Sequence, residues 1–225
     1  MATALHHVLL AIFIALSTSA KLSESANFTI RNDCGHTIWP MVSGNPRNNL
    51  QSLTLRPGQT ADFTVPKGWV GRIWGRTGCS GNGTCETGDN SITLAEFSVD
   101  SIDSRSIYDV SVAGGYNLPV VVTPVNGRGN CTLAGCDEDM MRKCPPELAV
   151  MVGGNAVGCR SPCEAFSTNE HCCTGQFSGS ACQDTPYSKL FKSACPAAYS
   201  YIFEDSAGIF SCSDAGFIVS FCTCR

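Results

Sequence analysis

Fifteen cysteines are the side chains with the most chemistry to offer in this 225-residue chain. They could serve as thiolate metal ligands, as nucleophiles or as disulfides. A zinc site needs paired ligands, typically C-x2-C. The chain has the doublet Cys172-Cys173 and Cys222-x-Cys224 but no C-x2-C. Thirteen cysteines follow Cys79 in tight clusters, a density that reads as an oxidised, exported scaffold. Paired cysteines leave no thiolate nucleophile. A Ser-His-Asp triad would need His36 or His171, and no G-x-S-x-G turn accompanies either. No phosphate loop and no H-E-x-x-H occur. Neither metal nor cofactor is expected. Asn27-Phe28-Thr29, Asn82-Gly83-Thr84 and Asn130-Cys131-Thr132 match the N-glycosylation pattern, and Asn82 is the favoured candidate because it sits in a glycine-rich loop.

The N-terminus agrees with export. Residues 1–20 carry no Asp, Glu, Lys or Arg, Val8 to Leu16 is continuously apolar, and Thr18-Ser19-Ala20 supplies small residues. This predicts a secretory leader cleaved after Ala20, with Ala26 as the alternative. The run is too short to span a membrane. A formal charge of −4 argues against nucleic acid and against simple attraction to anionic membranes.

Low charge (15%), 22 glycines and 11 prolines favour strands and turns. Short alternating segments recur at Phe28–Ile30, Thr37–Trp39, Leu53–Leu55, Asp62–Val65, Val70–Thr77, Ile92–Val99, Ile107–Val112 and Pro119–Val125. Turn residues separate them about every ten residues, the pattern of an antiparallel β-sandwich. The chain divides near residue 126. From Asn126 to Pro196 it carries nine cysteines and little strand pattern. Helices are predicted at Pro145–Val150 and Pro186–Cys195. This segment is expected to depend on disulfides. Phe217–Phe221 returns to strand.

Several stretches resemble the thaumatin-like proteins, pathogenesis-related group 5 of plants. They are Asn32-Asp33-Cys34 with Thr37-Ile38-Trp39-Pro40, then Gly71–Cys79 (GRIWGRTGC) and Gly81–Asp89 (GNGTCETGD). Further on come Thr93–Phe97 (TLAEF), Glu170–Cys173 (EHCC) and Cys195–Tyr201 (CPAAYSY). They stand in family order from about Phe28 to Cys222. One departure follows Asp89, where the family continues with a Cys, a loop and a second Cys, whereas Asn90 here leads directly to Ile92. One small disulfide and its loop are missing together.

The resemblance implies a mainly β fold, an antiparallel sandwich (27–125 plus 209–222) with a disulfide-rich loop and helix subdomain (126–208), within one domain at 27–225. It implies the pairs Cys34–Cys222, Cys79–Cys85, Cys131–Cys212, Cys136–Cys195, Cys144–Cys159, Cys163–Cys172 and Cys173–Cys182, leaving Cys224 unpaired. Cys34–Cys222 would constrain the unfolded chain by about 5 kcal/mol in the loop-entropy model.

The resemblance also implies an acidic cleft. Carried over by position, it holds Arg72, Glu96, Asp109 and Glu204 with Asp205 beside it, while Gly114 replaces a further Asp. Alternation agrees for three of them. Ala95, Phe97 and Val99 share one face, leaving Glu96 on the other; Tyr108, Val110 and Val112 leave Asp109 opposite; Ile73 points away from Arg72. Two carboxyls facing one cleft can hydrolyse a glycosidic bond, with Glu96 the expected acid and Asp109 the base or nucleophile. Gly114 removes some of the crowding that would raise their pKa. The expectation is therefore a secreted antifungal defence protein that recognises fungal cell-wall β-1,3-glucan, as a monomer in the apoplast, with the vacuole as the alternative location. A weak endo-β-1,3-glucanase and an inhibitor of microbial hydrolases are the alternatives. Bland roles stand beside each residue: solvated strand carboxylates, an Arg72–Glu96 pair bracing the sheet, an exposed loop at 204–205. Tyr108, Tyr116 and Phe97 could stack on sugars, but core packing is their expected role.

Overall fold

The computed structural model describes residues 25–46, 53–81, 83–102, 104–201 and 208–223. The expected leader at 1–20, Asn82, Glu204, Asp205 and Cys224 lie outside the described residues. Alternating segments build two five-stranded sheets. One runs β3 (Thr60–Pro66), β1 (Ser25–Asn32), β13 (Gly216–Phe221), β8 (Val120–Val125), β9 (Ala134–Cys136). The other runs β12 (Ile209–Ser213), β6 (Arg105–Ser111), β5 (Leu94–Ile102), β4 (Val70–Arg76), β2 (Trp39–Asn45). The fold is mainly β, as the sequence implied.

Between the sheets the apolar phases meet. Phe28, Phe97 and Phe217 touch one another with ring centroids 4.9–5.3 Å apart, and Trp69 and Tyr108 flank them. Edge-to-face pairs of this kind each add about 0.5–1.5 kcal/mol beyond burial. Gly71 is required here: a Cβ would fall 2.1 Å from the Trp69 ring. That fit seats Trp69 beneath β4 next to Arg72.

One pairing departs from the antiparallel expectation. β1 runs parallel to β13, with Phe28 opposite Phe217 and Asn32 opposite Phe221. A parallel pair needs a long crossover, and here the rest of the chain provides it. Cys34–Cys222 staples the pair just beyond its C-terminal end, across a sequence separation of 188.

The segment after 126 departs further. A small third sheet runs β10 (Ala149–Val152), β11 (Asn155–Arg160), β7 (Gly115–Tyr116). The helix expected at Pro145–Val150 is instead one turn followed by β10. The amides of Leu148 and Ala149 reach the Pro145 carbonyl, but Pro146 has no amide to donate. The chain then extends through β-branched Val150 and Val152 to pair with β11. Two elements also cross the expected division: β7 joins β11, and β9 joins the first sheet.

Among the described residues three α-helices complete the fold, α1 (Pro162–Phe166), α2 (Asn169–Cys172) and α3 (Pro186–Ala194). Each is capped by a hydroxyl: Ser161, Thr168 and Thr185. α3 coincides with the second predicted helix, and Thr185 and Ser188 close a reciprocal capping box at its start. α1 and α2 end in left-handed residues, Ser167 (φ 52°) and Cys173 (φ 52°). No helix among the described residues is long and apolar enough to cross a membrane.

Seven disulfides form among the described residues. They join Cys34–Cys222, Cys79–Cys85, Cys131–Cys212, Cys136–Cys195, Cys144–Cys159, Cys163–Cys172 and Cys173–Cys182.

Candidate functional site

The candidate site is one rung across the second sheet. Register places Arg72 opposite Glu96, Glu96 opposite Asp109 and Asp109 opposite Ile209, with Ser43 beyond Arg72. Directly opposed residues project from the same face, so the three charged side chains leave the sheet together. The rung behind them, Ile73, Ala95 and Val110, is fully buried. A one-residue slip would bury the charges and expose that rung, so burial of the apolar phase holds the site in register.

Within the rung the environments differ. Arg72 is exposed, whereas Glu96 and Asp109 are half-buried. The Asp109 Oδ1 atom is enclosed, with no hydrogen-bond partner among the described residues. Its pKa rises to about 7, first through burial and then through the neighbouring Glu96 charge. Burial raises Glu96 too, but the Arg72 guanidinium opposes that rise. Asp109 is wedged between Glu96 and Ile209 and holds its proton to near pH 7, while Glu96 has a cation on its other side.

Arg72 does not brace the sheet through Glu96. No ion pair within 4 Å joins them among the described residues. The guanidinium instead lies 5.8 Å from the centre of the Trp74 ring. Trp74, two residues along β4, shares the face of Arg72, and its indole N–H donates to the Gly88 carbonyl at 2.9 Å. The sequence reading missed Trp74, although the alternation that places Arg72 also places it. Ile209 was missed as well, because β12 carries no clear alternating pattern.

The pair therefore offers a carboxyl that holds its proton to near neutral pH beside a second carboxyl with a guanidinium at its end. That set donates to and accepts from polyol hydroxyls, and it can divide acid and base work on a glycosidic bond.

Other expectations resolve simply. Tyr108, Tyr116 and Phe97 are core residues, and the two tyrosine hydroxyls donate to the carbonyls of Thr132 and Glu138. His171 packs between Phe166 and Tyr187, with Nδ1 2.7 Å from the Thr168 hydroxyl. Gly114 is exposed, with open space where a Cβ would stand. No metal-binding group of His, Cys, Asp or Glu gathers among the described residues.

The Thaumatin family profile matches residues 32–223. Pathogenesis-related thaumatin-like protein 3.5 of Cryptomeria japonica is 42% identical over 216 residues, covering 87% of this chain and 89% of that protein. Pathogenesis-related protein 5 of Arabidopsis thaliana is 39% identical over 234 residues, covering 96% and 97%. Among solved structures, a beta-1,3-glucanase domain from Clostridium beijerinckii superposes with a TM-score of 0.57 at 9% identity, covering 88% of this chain and 98% of that one. That likeness is one of fold.

Proposed function

This chain belongs to the thaumatin family, and from that premise we propose that it is a secreted plant defence protein that binds β-1,3-glucan of fungal cell walls along the Arg72–Glu96–Asp109 rung. The defence role draws on relatives named pathogenesis-related. Seven disulfides suit an oxidising, extracellular location, which we assign to the apoplast rather than the vacuole. The observation that carries glucan binding is the half-buried Glu96–Asp109 pair, with Asp109 raised to about 7. Such a pair presents a donor and acceptors on a surface that a polyhydroxylated chain can follow. In this proposal the protein acts as a monomer.

Titration calorimetry with laminarin-type oligosaccharides at pH 5.5 tests this. The expected result is binding that weakens in Glu96→Ala and Asp109→Ala. Absence of heat with every oligosaccharide would sink the proposal.

Two neighbouring carboxyls in different environments, Asp109 raised to about 7 and Glu96 beside the Arg72 cation, also favour a second reading, weak endo-β-1,3-glucanase activity. Reducing-sugar release lost in both Glu96→Gln and Asp109→Asn would establish it. Binding without release leaves a recognition protein. Stoichiometric inhibition of a microbial hydrolase that persists in Glu96→Ala would replace both readings.

A further inference from the structure

The loop between β8 and β9 carries Asn130-Cys131-Thr132, and we propose that Asn130 bears an N-linked glycan. The inference rests on the secreted reading, because the donor, an oligosaccharide linked to a lipid diphosphate, is met in the secretory lumen. In the transfer the Asn130 Nδ2 atom forms a bond to the anomeric carbon of the sugar. The bond from that carbon to the diphosphate oxygen breaks, and one amide proton leaves as the lipid diphosphate departs.

Local geometry fits an acceptor. Asn130 and Thr132 are both exposed. The Thr132 amide donates to the Asn130 carbonyl at 3.0 Å, closing a tight turn. The Thr132 hydroxyl reaches the Asn130 side-chain oxygen at 3.4 Å, so the hydroxyl and the reacting amide already face each other. Gly129 (φ 95°) turns the chain just before, with no atom within 4 Å of where its Cβ would stand. Asn130 itself is exposed, so its side chain is open to solvent.

The central Cys131 is no obstacle to timing. Its partner Cys212 lies 81 residues downstream. At about 5–20 residues per second the ribosome needs several seconds to deliver it, so the tripeptide passes the transferase unbridged. Asn27 offers a poorer setting. It lies within β1, which is paired on both sides, and its Thr29 hydroxyl donates to Asp62 at 2.6 Å.

The position suggests what the glycan would do. Arg128 pairs backbone to backbone with Ser213, and Cys131 bonds to Cys212, so the loop lies along β12, the open edge of the second sheet. A glycan there blocks edge-to-edge pairing. The Asp109 rung meets β12 at Ile209, four residues or about 13 Å from Ser213.

The test is secretion of the full chain, with its leader, from a eukaryotic host, followed by intact mass before and after peptide-N-glycosidase. Wild-type protein should lose glycan mass on digestion, with deamidation mapped to position 130. Asn130→Gln and Thr132→Ala should abolish the signal at 130, Thr132→Ser should retain it, and Asn27→Gln and Asn82→Gln should leave it in place. A secreted, disulfide-bonded protein without a glycan at 130 overturns this inference alone. Retention in the cytosolic fraction with free thiols overturns the secreted reading and this inference together.

Discussion

Strand β5 and the β10–β11 hairpin show how differently the two regions are held. In β5 Ala95, Phe97 and Val99 are buried in strict alternation, against Ile73 and Val110 of the flanking strands and the Phe28–Phe217 cluster of the opposite sheet. In β10 no residue is buried, and Met151 is 56% exposed. The hairpin is fixed by Cys144–Cys159 and by two backbone pairs to β7. Five of the seven disulfides involve a cysteine between 126 and 208. Where apolar area suffices, burial sets the structure; where it does not, covalent bonds do. The acid rung stands on the first kind of support, because half-buried carboxyls need a rigid sheet to stay out of water.

The largest expected effect tests the sandwich. Phe97→Ala removes the ring that contacts Phe28, Trp69 and Phe217 and should cost about 3–5 kcal/mol in denaturant unfolding under oxidising conditions. Phe166→Ala, at a partly buried position beside α2, should cost about 1 kcal/mol. Equal costs would erase the contrast between the regions.

Next comes the converse. Replacing Cys144 and Cys159 together by Ser opens a loop of sequence separation 15 and should cost about 3 kcal/mol. Amide exchange should then rise in β10 and β11 while β5 and β13 stay protected. Exchange rising equally in all four strands would mean that the disulfide supports the whole molecule.

A further effect depends on pH. Folding raises the Asp109 pKa from 3.8 to about 7. Between those values the folded state holds a proton that the unfolded chain has released, so this group's contribution is fully present below about pH 4 and is lost as pH climbs through 7. Asp109→Asn, which mimics the protonated form, should match the wild type near pH 4 and melt at a higher temperature near pH 7.5. A difference that stays constant from pH 4 to 8 would contradict the burial of Asp109.

The same contrast explains what the sequence could reveal. Alternation was enough to find β1, β3, β4, β5, β6, β8 and β13, and to say that Arg72, Glu96 and Asp109 face away from the core. It could not say that these strands are neighbours, since register is a long-range property decided by how the sheets close. Nor could it rank Asp109 above Glu96, which depends on Arg72 lying between Ser43 and Glu96 and leaning on Trp74. In the second region Pro145 to Val150 read as helix, yet only one turn forms before β-branched Val150 and Val152 extend to pair with β11. Disulfide partners were reached through family resemblance, because spacing alone leaves many pairings open.

Cys34–Cys222 has a topological consequence. It turns the chain between those residues into a covalent ring, and the other six disulfides are chords within it. A protease that cuts once anywhere on the ring opens it but detaches nothing. A fragment is released only by two cuts that enclose no cysteine bonded to the other side. A single cut, which a reducing gel would display as two pieces, therefore leaves one connected molecule.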